Sequence, residues 1–205
     1  QRITATIPTI LKVLENQPKS IVLMSHLGRP NGKKDENLSL EPIAWYIEDY
    51  LNIDIKFSND CISGDSFIES SNLKSGEILL LENLRFHKGE TDNDETFSKI
   101  LSSHGDVFIN DAFGTAHREH ASNVGIMNHF KDIGYGFLIN NEIKYLKDSI
   151  INPLKPLLVI IGGAKISSKI AMIKHILTKA NNILIGGAMS FTFLKALGYE
   201  VGKSL

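Results

Sequence analysis

The chain has 205 residues, 42% of them hydrophobic and 22% charged, with a formal net charge of −1. This is ordinary globular usage, with room for one large or two small domains, and it argues against a disordered, collagen-like or membrane-spanning chain and against bulk electrostatic attraction to nucleic acid or an anionic bilayer. The one cysteine, Cys61, leaves no intramolecular disulfide and no zinc site built on cysteines, and reads as a small, partly buried hydrophobe in a reducing compartment.

In chain order, apolar Ile7, Ile10, Leu11 and Leu14 share one face of a helix over 7–14. The apolar run 20–24 after Pro18 predicts a buried strand, and Arg29-Pro30-Asn31-Gly32 is turn chemistry. Ser39 is an N-cap for a helix through Leu51, because Pro42 is tolerated in a first turn. On that helix Trp45, Tyr46 and Tyr50 read as core or edge packing. Alternation over 53–57 and the apolar run 77–81 predict two more strands. The Asp92–Glu95 run lacks the glycine and spaced ligands of a calcium loop and reads as the N-cap of a helix over 94–103. A strand over 106–110 follows, then a helix over 139–151 ended by Asn152-Pro153. A strand, a Gly-Gly turn and a helix then occur twice: 157–161, Gly162-Gly163 and 167–178, then 182–185, Gly186-Gly187 and 191–197.

Strands alternate with helices, and the strands are apolar runs rather than half-polar ones. That pattern predicts an α/β fold of parallel sheets with helices on both faces. The proline-marked helix suggests a division into a first lobe over 1–138, a connecting helix over 139–152 and the beginning of a second lobe over 153–205.

Open parallel sheets bind ligands beyond the carboxyl ends of their strands. Three such ends carry Ser25-His26-Leu27-Gly28-Arg29-Pro30, Glu82-Asn83-Leu84-Arg85-Phe86-His87, and Asp111-Ala112-Phe113-Gly114-Thr115-Ala116-His117-Arg118. Each loop holds an arginine and a histidine, and Arg2 precedes the first helix. A lone arginine is more often a surface ion pair. Arginines in phase with three strand ends instead predict an anion site for a small ligand carrying phosphate and carboxylate groups. His26 and His117 read as neutral donors, structural loop residues or proton carriers; His87, His104, His120 and His129 have no comparable support. A metal site of His26, His87 and His117 is disfavoured by repulsion from the loop arginines.

The segment Gly162-Gly163-Ala164-Lys165-Ile166-Ser167-Ser168-Lys169 leaves a strand and enters a helix, a weak phosphate-binding signal. It is neither a Walker A sequence nor GxGxxG. Gly186-Gly187-Ala188-Met189 repeats the pattern, and its alternative is plain close strand–helix packing.

Together these segments resemble the phosphoglycerate kinase family, in its order and across the whole chain. Gly186-Gly187-Ala188-Met189-Ser190-Phe191-Thr192-Phe193-Leu194 is also similar, with Ala188 where a third glycine is expected. The resemblance implies a two-lobed cytoplasmic enzyme of glycolysis with Rossmann-like sheets, closing about a hinge. It would be a monomer that moves a phosphoryl group between 1,3-bisphosphoglycerate and ADP, giving 3-phosphoglycerate and ATP with Mg²⁺. It has no nucleic-acid or membrane partner. By position Arg2 and Lys165 match catalytic residues. Arg2, His26, Leu27, Gly28, Arg29, Arg85 and Arg118 match the groups that hold the acid. Lys165, Lys169, Gly163, Ala164, Gly187 and Ala188 match the nucleotide site. The resemblance also implies a missing first strand, an incomplete second lobe, no metal ligand within this chain and no turnover by the chain alone. The alternatives are a phosphate-binding fragment without turnover and, more remotely, a dehydrogenase-type dinucleotide binder, which lacks its GxGxxG and acidic ribose residue.

Overall fold

The structure, a computed structural model, describes residues 2–164 and 166–204, the side chains of Arg2 and Ser168 excepted. The chain divides into two compact units, residues 1–141 and 142–205. The division falls inside the helix Phe137–Ile150 that the sequence reading places between lobes.

In the first unit, β1 (Ser20–Leu23), β2 (Ile55–Ser58) and β3 (Glu77–Leu81) form a parallel sheet with β3 in the middle. A central parallel strand needs apolar side chains on both faces, and β3 supplies them. Ile78 and Leu80 pack with Ile7 and Ile10 of α1 (Arg2–Glu15) and Ala44 and Ile47 of α2 (Glu41–Leu51). Leu79 and Leu81 pack on the opposite face with Cys61, Leu73, Phe97, Leu101 and Phe108. Period-two geometry thus sends neighbouring leucines into two different cores.

The helix caps explain where elements begin. Ser63 Oγ accepts from Ser66 N at 3.1 Å and starts α3 (Gly64–Ser71), a helix that the sequence reading passes over because Ser-rich residues 66–71 carry a weak apolar stripe. A short α4 (Lys88–Asp92) ends at left-handed Asn93, and Asp94 Oδ1 then accepts from Phe97 N at 2.7 Å to open α5 (Glu95–Ser102). That is the capping role expected of the acidic run. Three expectations need correction. α1 starts five residues before Ile7, with Pro8 inside it rather than in its first turn. Leu40 occupies the N-cap position of α2, although Ser39 Oγ still accepts from Glu41 N at 3.2 Å as a cap would. Trp45, Tyr46 and Tyr50 are exposed, because the buried stripe of α2 is Ala44 and Ile47.

The strand β4 (Val107–Asn110) pairs in parallel with β5 (Asp132–Tyr135), a four-residue strand too short and too exposed to show as an apolar run. These two form their own sheet rather than joining β1, β2 and β3. The helix α6 (Phe137–Ile150) follows β5. In the second unit β6 (Leu158–Gly162) and β7 (Asn182–Gly186) run parallel in register, followed respectively by α7 (Ile170–Leu177) and α8 (Met189–Ala196). Ile161, Ile173, Ile176 and Met189 form its core, whereas Leu158, Ile160 and Leu184 remain more than half exposed. Among the described residues no helix is long and apolar enough to cross a membrane.

Two outcomes follow from this core. Leu80→Ala, at a side chain that is 2% exposed, should lower the unfolding free energy in urea by about 2–5 kcal/mol. The second concerns His104, whose Nε2 faces the Cys61 carbonyl at 3.0 Å and whose Nδ1 faces Ser70 Oγ at 2.8 Å. A carbonyl only accepts, so the neutral ring carries its proton on Nε2. Burial lowers this imidazole from its ordinary 6.5, against the pull of the Cys61 carbonyl bond. The unfolded chain therefore binds the extra proton first, and stability falls as pH drops below 6.5. His104→Gln should flatten that fall in urea titrations across the acidic range.

Candidate functional site

The ends of β1 and β3 lie side by side, with Leu23 opposite Leu80. The loops that follow are fastened by two buried polar residues. Glu82, 4% exposed, accepts from Leu40 N and Asn83 N through Oε1 at 2.8 and 2.7 Å and from Ser39 Oγ through Oε2 at 2.8 Å. Asn83, fully buried, accepts from Leu27 N and Arg85 N at 3.2 and 3.1 Å and donates to the Leu27 and Leu38 carbonyls, both at 2.8 Å. Every polar atom of its carboxamide is used. Gly28 completes the loop at φ +63°, where a Cβ would stand 2.6 Å from Leu38 Cδ2.

Arg85 Nη1 donates to the Gly28 carbonyl at 2.8 Å, while its Nε is buried without a hydrogen-bond partner. Burial, then the nearby charges of Arg118 and Arg29, push this guanidinium below its ordinary value, with Glu90 pulling the other way. An arginine remains charged under such a push. Arg29, Arg85 and Arg118 therefore share one field, as the spacing predicts, although β4 belongs to a different sheet from β1 and β3. Arg118 is held through its backbone: Asn123 Nδ2 donates to the Thr115 and Arg118 carbonyls at 2.5 and 3.2 Å, and Asn123 Oδ1 accepts from Asn110 Nδ2 at 2.6 Å.

Glu90 is the acid beside these cations. It is fully buried and accepts from Ser122 N at 2.9 Å and Ser122 Oγ at 2.7 Å. His120 Nδ1 lies 3.5 Å from Glu90 Oε1, too far for a strong hydrogen bond. Burial foremost, with Arg85 and Arg118 adding, lowers this imidazole below 6.5 against the opposing Glu90. Among the described residues the charges acting on Arg85 and His120 are thus three guanidiniums and one carboxylate, a net positive cluster inside a chain of net charge −1. Asp111 serves another purpose. Its carboxylate accepts from Thr9 Oγ1 at 2.6 Å and Ile139 N at 3.0 Å, tying α1 to the first turn of α6.

In the second unit, Gly162 pairs with Gly186, and the turns after both strands approach closely. Gly187 has φ +69°, and a Cβ there would sit 3.1 Å from the nitrogen and oxygen of Gly163. Lys169 Nζ lies 3.0 Å from where a Gly163 Cβ would stand, and Met189 N donates to the Gly163 carbonyl at 2.9 Å. A bare backbone with an ammonium beside it suits phosphate oxygens.

Of the expected site residues, the structure gathers Arg29, Arg85 and Arg118, with Leu27 and Gly28 in the loop that Arg85 touches. His26 is half-buried in that same loop. Gly163, Ala164, Gly187, Ala188 and Lys169 lie on or beside the second unit's turns. Lys165 and the side chain of Arg2 lie outside the described residues. Glu82 and Asn83 enter the sequence reading only as members of a strand-end loop and His120 only as a histidine without support, while Glu90 and Asn123 escape it. His120 offers a signal of its own, three residues after His117.

A family model described as phosphoglycerate kinase matches residues 1–205. The chain belongs to the phosphoglycerate kinase family. It is 48% identical over 204 residues to the phosphoglycerate kinase of Borreliella afzelii and 47% identical over 205 residues to that of Chlorobium phaeobacteroides, covering all of this chain and 51% of each relative. Among solved structures, the phosphoglycerate kinase of Coxiella burnetii superposes with a TM-score of 0.84 at 37% identity, over 99% of this chain and 50% of that one. The enzyme of Pyrococcus horikoshii gives the same TM-score at 30% identity, over 98% of this chain and 51% of its own. The chain therefore spans about half the length of the phosphoglycerate kinases it matches.

Within this family scaffold Asn83 makes four hydrogen bonds to loop backbone. Asn83→Ala should cost about 1–3 kcal/mol in chemical denaturation for the backbone groups left unpaired. It should also speed amide hydrogen exchange at Leu27 and Arg85.

Proposed function

We propose that the protein bearing this chain is a phosphoglycerate kinase of glycolysis. It catalyses reversible phosphoryl transfer between 1,3-bisphosphoglycerate and ADP, giving 3-phosphoglycerate and ATP, and acts in the cytoplasm as a monomer. The observation that carries the reading is Arg85, held beside Arg118 and Arg29 with its Nε buried and without a hydrogen-bond partner. Three guanidiniums in one field oppose each other until an anion with several oxygens enters. The reading assigns them, with His26, Leu27 and Gly28, to the phosphate and carboxylate of the three-carbon acid. It assigns Lys169, Gly163, Ala164, Gly187 and Ala188 to the nucleotide, and Arg2 and Lys165 to the transferring group. The resemblance alone supports the roles of Arg2 and Lys165.

An acyl phosphate is already activated, so the attacking ADP oxygen needs no general base. The protein's task is alignment and cancellation of charge on the equatorial oxygens. Mg²⁺ enters as part of the nucleotide substrate. Segments 162–170 and 186–190 contain no carboxylate, so they offer donors to phosphate rather than ligands to a cation. A second reading is phosphate binding without turnover, which the same guanidinium cluster would serve, since an entering anion alone relieves it.

A coupled ATP-formation assay on this chain and on its full-length parent separates the two readings. Turnover by the parent supports the kinase. Its absence, with 3-phosphoglycerate still bound in calorimetry, supports the binding reading, and no heat at millimolar acid opposes both. Arg118→Ala should weaken 3-phosphoglycerate binding by at least tenfold, about 1.4 kcal/mol. Arg2→Ala in the full-length protein should lower kcat by about 10²-fold or more while affecting acid binding less; near-normal turnover would remove Arg2 from the transfer step.

A further inference from the structure

A second constellation lies beyond the ends of β2 and β3, and the phosphoryl-transfer reading makes no use of it. A carboxylate oxygen of Asp60, Cys61 Sγ and a ring nitrogen of His87 all lie within 4.8 Å of one another. His87 Nε2 and Asp60 Oδ1 are 2.6 Å apart, and the same oxygen accepts from Cys61 N at 2.8 Å. The thiol is fully buried, whereas the Asp60 and His87 side chains are about one-third exposed. His87 also borders a cleft of about 400 Å³ together with Asp92 and Asp94.

A cysteine, a histidine and an aspartate in one cluster suggest either a nucleophile or a metal site. The surroundings decide against the nucleophile. Burial foremost, then the charges of Asp60, Glu90 and Glu82, raise the Cys61 thiol far above its ordinary value, so without a bound cation no free thiolate stands ready to attack. The Asp60 carboxylate, which accepts from Cys61 N at 2.8 Å and lies 2.6 Å from His87 Nε2, brings negative charge to the cluster and favours a cation there. The loop arginines that disfavour a site of His26, His87 and His117 are not among the charges acting on Cys61.

Against the expectation that the chain holds no metal ligand, we propose that Asp60, Cys61 and His87 form a three-ligand binding site for a thiophilic divalent cation, Zn²⁺ by its donor set, with the fourth position left to solvent. A sulfur, an imidazole nitrogen and a carboxylate oxygen match the ligand preferences of tetrahedral zinc, whose bonds of about 2.0–2.3 Å set its donors roughly 3–4 Å apart. Small rotations of Asp60 and His87, both partly exposed, supply that adjustment. In the binding step the S–H bond breaks and its proton leaves to solvent. The Nε2 proton of a neutral His87 shifts to Nδ1, and metal–sulfur, metal–nitrogen and metal–oxygen bonds form. Nothing is oxidised or reduced. One thiolate and one carboxylate balance the dication, so the half-buried complex carries no net charge. The ion would staple the segment after β2 to the segment after β3. This site stands or falls independently of the proposed kinase activity.

The test is a Co²⁺ titration of the reduced, metal-stripped protein, followed by absorbance. A thiolate-to-cobalt charge-transfer band should saturate at one equivalent, Zn²⁺ should displace it, and Cys61→Ser should abolish it. His87→Gln and Asp60→Asn, at side chains that are about one-third exposed, should each raise the Co²⁺ dissociation constant at least tenfold. These two variants decide the matter if the buried serine does not fold. A wild-type titration without the charge-transfer band, or a band of equal affinity in His87→Gln, would overturn the site.

Discussion

The first unit depends on one constraint: β3 is buried on both faces, so the chain leaving it has to satisfy its polar groups from within. Glu82 and Asn83 do this at the strand's last turn. The carboxylate takes donors from the segment before α2, and the carboxamide takes and gives bonds to the loop after β1 and to Leu38. Buried polar groups with every partner in place fix a single arrangement, since any alternative leaves a donor or acceptor dry. The loop carrying Arg29 is therefore positioned by the segment after β3 that carries Arg85, and the Arg85 guanidinium is in turn held by the Gly28 carbonyl of that loop.

The charge around those arginines shows how a cationic site is kept in a folded chain. Three guanidiniums sharing one field cost stability, and Glu90 offsets part of that cost while remaining inaccessible to solvent. Its oxygens are occupied by Ser122, so it can lower the local potential without competing as an acceptor for the arginine donors. Burial keeps His120 neutral beside it.

Most of the strand order in chain and the arginine loops were legible from residues alone, because apolar runs and strand-end motifs are local signals. Apolar periodicity located β3 to the residue, and the cap at Asp94 followed from a short polar side chain before a helix. What escaped was long-range. Glu82, Asn83 and Glu90 look like surface residues in a linear reading, and only tertiary packing reveals that burial gives them partners about 30 to 56 positions away. The strand β5 escaped because Asp132, Gly134 and its exposure dilute any apolar pattern. Ser39 lost the N-cap position of α2 to Leu40 while its hydroxyl was drawn to Glu82. Cys61 read as a plain hydrophobe because its neighbour His87 is close only in space.

The second unit carries a consequence of a different kind. Leu158 and Ile160 alternate along β6, with Leu184 on the adjoining strand, and all three are more than half exposed. Parallel sheets keep both faces covered, and a strip of branched side chains beside unpaired strand edges is a template for association. For residues 142–205 in isolation, such sheet faces would attract one another in concentrated solution.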